Sequence, residues 1–180
     1  MKECAIQHDG VLVMGGVVDA FLDAFGAYRS RGLKVLARHF GTNVDTMRGQ
    51  TYPVERLLLG MKELQEQFGR GFMTRIGRAI YERAEFPPNL DTFGVALAAV
   101  DTAYYMNHQN AEGKIGHYGW HSYGPTTGKM VCDNPYPCAF DMGIFAGMAA
   151  QFKVDARITH LDEPTCRHTG SDTCTYLVEW

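Results

Sequence analysis

The sequence predicts an α+β fold, with helices filling the N-terminal half and an antiparallel sheet in the C-terminal half. Three observations carry this. Apolar residues recur every three or four positions from Val54 to Ile80. Alternation with period two appears at 117–123 and 129–132, and two more strand-like runs close the chain at 156–161 and 173–180. Between these pairs, Phe140, Ile144, Met148 and Phe152 return to helical spacing. Helices followed by strand–strand–helix–strand–strand make an antiparallel sheet with segregated helices.

A chain of 180 residues is long enough for one domain with a full core, buried without staples. At 46% hydrophobic and 21% charged residues, its composition is that of a soluble globular protein. The net charge of −3 and the lack of a basic run leave nucleic acid no electrostatic footprint. No apolar run approaches the length of a membrane span. The start, Met1-Lys-Glu-Cys-Ala, has no signal-peptide core, which points to the cytoplasm and to reduced thiols.

Residues 1–50 read as an N-terminal helical extension. A short strand, Val11–Met14, is broken by Gly15-Gly16. Val17, Val18, Phe21, Leu22 and Phe25 then share one helix face, and Leu33, Leu36, Ala37 and Phe40 another. The aromatics Phe21, Phe25, Tyr28 and Phe40 make this pair a candidate dimerisation arm. Residues 51–180 read as the ligand-binding domain. Thr51-Tyr-Pro53 opens a helix with Pro53 in its first turn, where a missing N–H costs nothing. The apolar stripe to Ile80 is one long helix or two hinged at Gly69 and Gly71. Phe86-Pro-Pro88 stops it, and Asn89 or Asp91 caps the next, which ends in Tyr104-Tyr-Met-Asn-His108. A hairpin turns at Gly124-Pro125 and Gly128. Asn134-Pro-Tyr-Pro137 leads into a helix over 139–152, where Gly143 and Gly147 permit close approach of another helix or of the sheet.

Cys138, Cys166 and Cys174 cluster by spacing. Cys166 and Cys174 are brought together by a turn at Gly170, and Cys138 joins them if the chain folds back. Soft thiolates with one nitrogen or oxygen ligand make a tetrahedral zinc site. Three thiolates and a fourth protein ligand close the coordination sphere, so the zinc is read as structural rather than catalytic.

The segment Asn134-Pro-Tyr-Pro-Cys-Ala-Phe-Asp-Met-Gly143, with Cys166-x7-Cys174-Thr-Tyr176, resembles the 4-vinyl reductase-like family, small-molecule-binding modules sharing the fold of TRAPP subunits. The resemblance covers roughly residues 50–180. It implies zinc held by Cys138 and by Glu163-x2-Cys166-x7-Cys174, as in phenol- and xylene-responsive activators. His160 is an alternative to Glu163, Cys132 is a weaker one, and His168 is expected to face solvent. It also implies a ring-binding pocket lined by Tyr104, Tyr105, His108, His117, Trp120, Phe140 and Ile144, with Asn107 among its polar groups.

The resulting expectation is a non-enzymatic sensor or carrier for a small apolar or aromatic molecule, clasped by structural zinc. It is expected to act as a homodimer or through a separate signalling partner. No nucleophile motif, phosphate loop or dinucleotide fingerprint assigns catalytic residues. The alternative is a haem or other tetrapyrrole protein, a gas or redox sensor or an accessory of vinyl reduction, with His108, His117 or His121 as iron ligand. An interaction module is a third reading.

Overall fold

A computed structural model describes residues 8–44, 50–161 and 166–180. Strand β1 (Leu12–Met14) runs into helix α1 (Gly15–Asp23), and a 3-10 turn at Gly26–Tyr28 leads into α2 (Arg29–Phe40). Gly41 ends α2 in the left-handed conformation (φ 70°), with Arg38 and His39 in the last turn where the helix dipole favours positive charge. Strand β2 (Thr51–Pro53) precedes α3 (Val54–Phe68), which Gly69 separates from α4 (Arg70–Arg83). Then come α5 (Phe93–Ala98), α6 (Val100–Met106), β3 (His108–Gln109), β4 (Tyr118–Gly124), β5 (Thr127–Cys132), α7 (Cys138–Gln151), β6 (Arg157–His160) and β7 (Cys174–Glu179). Among the described residues no helix is long and apolar enough to cross a membrane.

The strands form two antiparallel sheets, one ordered β2-β1-β3 and the other β4-β5-β7-β6. In the second, Met130 faces Tyr176 and Cys132 faces Cys174 across the β5–β7 pair, and all four side chains are buried. The predicted α+β class is therefore present, with strand–strand–helix–strand–strand in the C-terminal half.

Local chemistry accounts for two differences from expectation, at Pro53 and Thr92, and decides the apolar stripe in favour of two helices. Pro53 is extended (φ −58°, ψ 125°) and pairs with Leu12, so Thr51-Tyr-Pro53 is a strand and the helix begins at Val54. The long apolar stripe is two helices because Gly69 sits at φ 80°, ψ 176°, backbone that is essentially glycine-only. Thr92 caps α5 in place of Asn89 or Asp91, its hydroxyl accepting from Val95 N at 3.3 Å.

Residues 8–44 share the core with the rest of the chain. Strand β1 pairs with β2 and β3, and Val13, Val18 and Leu22 are fully buried. Phe25 meets Phe72 edge-on at 4.8 Å and Phe40 stacks on Tyr52 at 4.4 Å. Of the aromatics read as a dimerisation arm, Tyr28 is the exposed one.

Helix α7 is apolar on nearly all sides and lies in the core, packed against α4 and bonded to the sheet where Tyr176 Oη donates to Cys138 O at 3.2 Å. The α4–α7 approach is backbone to backbone. A Cβ on Gly77 would lie 2.1 Å from Phe140 O, one on Gly143 2.2 Å from Thr74 O, and one on Gly147 2.5 Å from Arg78 O. The close approach that Gly143 and Gly147 announce in the sequence is thus made to a helix.

Gly143→Ala should destabilise the protein by about 3 kcal/mol or more, because the obstructing atoms are backbone. That corresponds to roughly 6–12 °C in thermal unfolding. Gly71→Ala, in the same α4 helix but with nothing within 4 Å of the added carbon, should stabilise by about 0.5–1 kcal/mol. Equal melting of the two variants would refute the packing argument.

Candidate ligand pocket and thiol cluster

The end of α6 and the residues just after it carry the polar groups of an apolar cavity of about 50 Å³. Tyr104 lies on α6, Asn107 is its C-cap and His108 opens β3, so the three meet where the helix ends. Apolar walls come from Val17 of α1, Ile80 of α4, and Phe140 and Ile144 of α7. Tyr118 of β4 and Tyr136 complete the lining.

Every polar side chain here has its hydrogens placed. Asn107 Nδ2 donates to Ala103 O and Glu85 O, both at 2.7 Å, and its Oδ1 accepts from Glu85 N at 2.9 Å. His108 Nδ1 lies 2.7 Å from Tyr104 O. A carbonyl only accepts, so Nδ1 carries the proton and Nε2 is the acceptor. Tyr136 Oη, 2.7 Å away, therefore donates to Nε2. Tyr104 Oη donates to Ile115 O at 2.9 Å, and Tyr118 Oη to Asp141 Oδ1 at 2.7 Å. Burial lowers the His108 pKa to about 4, only partly opposed by the Tyr104 carbonyl, so the imidazole is neutral at physiological pH. Burial also raises the pKa of Tyr104 and of Tyr136 above the ordinary phenol value.

Tyr104, Asn107, His108, Phe140 and Ile144 of the sequence-derived pocket line this cavity. Tyr105, His117 and Trp120 do not. Tyr105 is one step round the helix from Tyr104, and its hydroxyl donates to Gly116 O at 3.0 Å. Residue 118 takes the inward phase at the start of β4, which leaves His117 outside beside Asp101 at 3.3 Å. Trp120 lies by Trp180, ring centroids 6.4 Å apart. His121 is exposed on β4. Tyr118 and Tyr136 escaped the sequence reading. The phase of the β4 alternation signalled the first, and the flanking prolines that fix the backbone around residue 136 signalled the second.

The thiols come together as expected. Cys138 opens α7, Cys166 precedes the 3-10 turn Arg167–Thr169, and Cys174 opens β7. The ligand atoms of Cys138, His160, Cys166 and Cys174 all lie within 4.8 Å of one another. Cys138 Sγ is 3.2 Å from Cys174 Sγ and 3.7 Å from Cys166 Sγ. Cys132 is buried on β5 and is not one of this group. Glu163 lies outside the described residues, and His168 is exposed. The hydrogen bond from Cys138, followed by the Arg167 charge, pulls the Cys174 pKa below the usual thiol value.

Asp141, fully buried on α7, joins the two sites. It accepts from Tyr118 of the cavity wall and from Arg167, which follows Cys166, while Tyr176 Oη shares its one hydrogen between Asp141 Oδ2 at 3.3 Å and Cys138 O. Arg167 also donates to Asn134 O and Oδ1, and its N–H to Cys174 Sγ at 3.4 Å. Beyond Tyr136 and Cys138 a polar groove of about 520 Å³ opens to the surface, with Lys62, Glu66, Asp133 and Asp172 on its sides.

No family model matches the chain, and no curated protein matches it. Solved structures do match. An H-NOX protein from S. oneidensis in the Fe(II) ligation state, carrying three substitutions, aligns with a TM-score of 0.70 and 17% identity over 92% of this chain and 95% of that one. The H-NOX protein from S. oneidensis in the Fe(II)NO ligation state gives 0.69 and 15% over 92% and 98%. A singly substituted mutant of T. tengcongensis H-NOX gives 0.63 and 12% over 91% and 94%. The fold is therefore H-NOX-like. This overturns the resemblance to the 4-vinyl reductase-like and TRAPP arrangement, and with it the picture of a zinc-clasped module of that family.

The neutral His108 fixes a pH dependence. Its folded pKa of about 4 lies below the ordinary 6.5, so between these values the unfolded chain binds more protons. Stability is full above about pH 6.5 and falls as pH drops towards 4, by on the order of 3 kcal/mol. Denaturant unfolding of the protein and of His108→Gln across pH 4–7 should show the difference between them shrinking as pH falls. A difference that stays constant would place His108 elsewhere.

Proposed function

We propose that this chain is a ligand-sensing domain whose ligand seat is the apolar cavity lined by His108 and Tyr136. The observation that carries this is a neutral histidine, nine-tenths buried and held by two short hydrogen bonds, at the end of an otherwise apolar cavity. A concave apolar site with a few placed polar groups is the usual form of a small-molecule seat. The likeness to H-NOX proteins studied in Fe(II) and Fe(II)NO states supports sensing over a purely structural role.

That likeness favours haem over the zinc-clasped reading of the sequence, and His108 has one feature suited to iron. Its Nδ1–H is held by a carbonyl, which fixes the tautomer and leaves Nε2 as the acceptor, occupied here by the Tyr136 hydroxyl. The rest of the site does not fit. Haem has roughly forty non-hydrogen atoms and two carboxylates, whereas one water alone needs about 10–15 Å³ of a cavity of this kind. The cavity offers about 50 Å³, and no lysine or arginine lines it. The larger groove has Lys62 and Arg167 among its lining, but Arg167 is already bound to Asp141, Glu66, Asp133 and Asp172 stand beside them, and His108 is not on it.

A second reading concerns the thiol cluster. The four ligand atoms of Cys138, His160, Cys166 and Cys174 are close enough for one soft divalent ion such as zinc, and the site would join α7 to β6 and β7. Metal so placed is structural and contributes folding free energy.

Two measurements test these readings. Titration of the labelled protein with small neutral molecules should perturb NMR signals of His108, Tyr136 and Ile144, and Ala103→Leu, which fills the cavity, should abolish the response. Shifts centred on Lys62 and Asp172 would move the seat to the groove. Elemental analysis should find about one zinc per chain. Cys166→Ser should lose it and melt lower, and a variant that keeps its metal and its melting temperature would rule out the clasp.

A further inference from the structure

The hydrogen-bond inventory of the cavity restricts what it accepts, given that the cavity is the ligand seat proposed above. Asn107 has spent both amide hydrogens on carbonyls, and His108 has spent its one ring hydrogen on Tyr104 O. The hydroxyl hydrogens of Tyr104, Tyr118 and Tyr136 go to Ile115 O, Asp141 Oδ1 and His108 Nε2. Among the described residues, no side-chain donor lining the cavity has a hydrogen to offer. What remains are acceptor lone pairs, a second one on Asn107 Oδ1, which takes Glu85 N, and those on the tyrosine oxygens, each hydroxyl oxygen having two.

A ligand group that only accepts would enter without a partner and lose its hydration. An anion would lose far more. A ligand with one N–H or O–H finds an acceptor at Tyr136 Oη, and this bond strengthens the one that Tyr136 already gives to His108. Size sets the second restriction, since 50 Å³ holds three to five water-sized units, at about 10–15 Å³ each.

We infer that the cavity takes a neutral, mostly apolar molecule of a few non-hydrogen atoms bearing one N–H or O–H donor, received at the Tyr136–His108 end, and that it takes no haem. The same inventory that admits such a molecule excludes the carboxylates of a tetrapyrrole.

Three five-membered rings of like size separate the chemistry: pyrrole donates, furan only accepts, and cyclopentane does neither. Each is titrated into the full-length protein and followed by the nitrogen resonances of His108 and by thermal shift. Haemin is added in a parallel titration followed by visible absorption. Pyrrole should bind at least tenfold more tightly than furan or cyclopentane, and haemin should give no saturable band. His108→Phe leaves the Tyr136 hydroxyl hydrogen without its acceptor, so the preference should reverse towards furan. In Tyr136→Phe the Nε2 lone pair is uncovered, so the preference for pyrrole should persist.

Furan binding as tightly as pyrrole overturns the inference. So does stoichiometric haemin binding that depends on His108, although that result keeps the cavity as the ligand seat. Absence of any His108 response to all three rings and to haemin refutes the ligand seat itself. Should His108→Phe fail to fold, the ranking of the three rings on the unmodified protein decides the matter.

Discussion

The buried carboxylate of Asp141 is the constraint on which the C-terminal half depends. A charge with no solvent exposure stands only where it is paired and its lone pairs are filled. Burial pushes the Asp141 pKa up, and Arg167 and the Tyr118 hydroxyl pull it back. Those partners arrive from separate places: Tyr118 from β4, Tyr176 from β7, and Arg167 from the segment between β6 and β7. One side chain on α7 therefore fixes the helix against the sheet, orients a wall of the cavity and holds the residue that follows Cys166. Removing one partner of such a buried pair costs about 3–5 kcal/mol, because the remaining charge is stranded.

The helix crossing supplies the other fixed distance. Gly77, Gly143 and Gly147 bring α4 and α7 into backbone contact. Ile80 of α4 and Phe140 and Ile144 of α7 stand beside that crossing and form cavity walls. Cavity width is thus set by glycine packing, while the polar end of the cavity is set by hydrogen bonds from α6 and Tyr136. The two are built from different physics, and neither is supplied by the thiol cluster.

Much of this was legible in the sequence. The three-four rhythm gave α3 and α4, alternation gave the β4–β5 hairpin, Gly143 and Gly147 announced a close approach, and cysteine spacing announced the cluster. What was not legible is non-local. Strand β2 exists because Tyr52 and Pro53 find β1 across roughly forty residues, which overrides the helix-start reading of proline. Tyr118 and Tyr136 enter the cavity through sheet phase and a proline-fixed loop, whereas Tyr105 and His117 are adjacent in sequence and face away. The family resemblance rested on a helix start and a thiol spacing. Both are local and say little about topology, and the likeness to H-NOX structures corrected it.

Strand β4 lies at one edge of the four-stranded sheet, and edges invite a foreign strand. At its start the Tyr118 amide is already taken by the Asp101 carboxylate at 2.8 Å, and towards its end the pairing with β5 slips between Ser122 and Gly124. The opposite edge, β6, is only four residues long and starts with an exposed arginine. Both edges stand open to a passing strand throughout the life of the folded chain, and each carries its own block against templated aggregation.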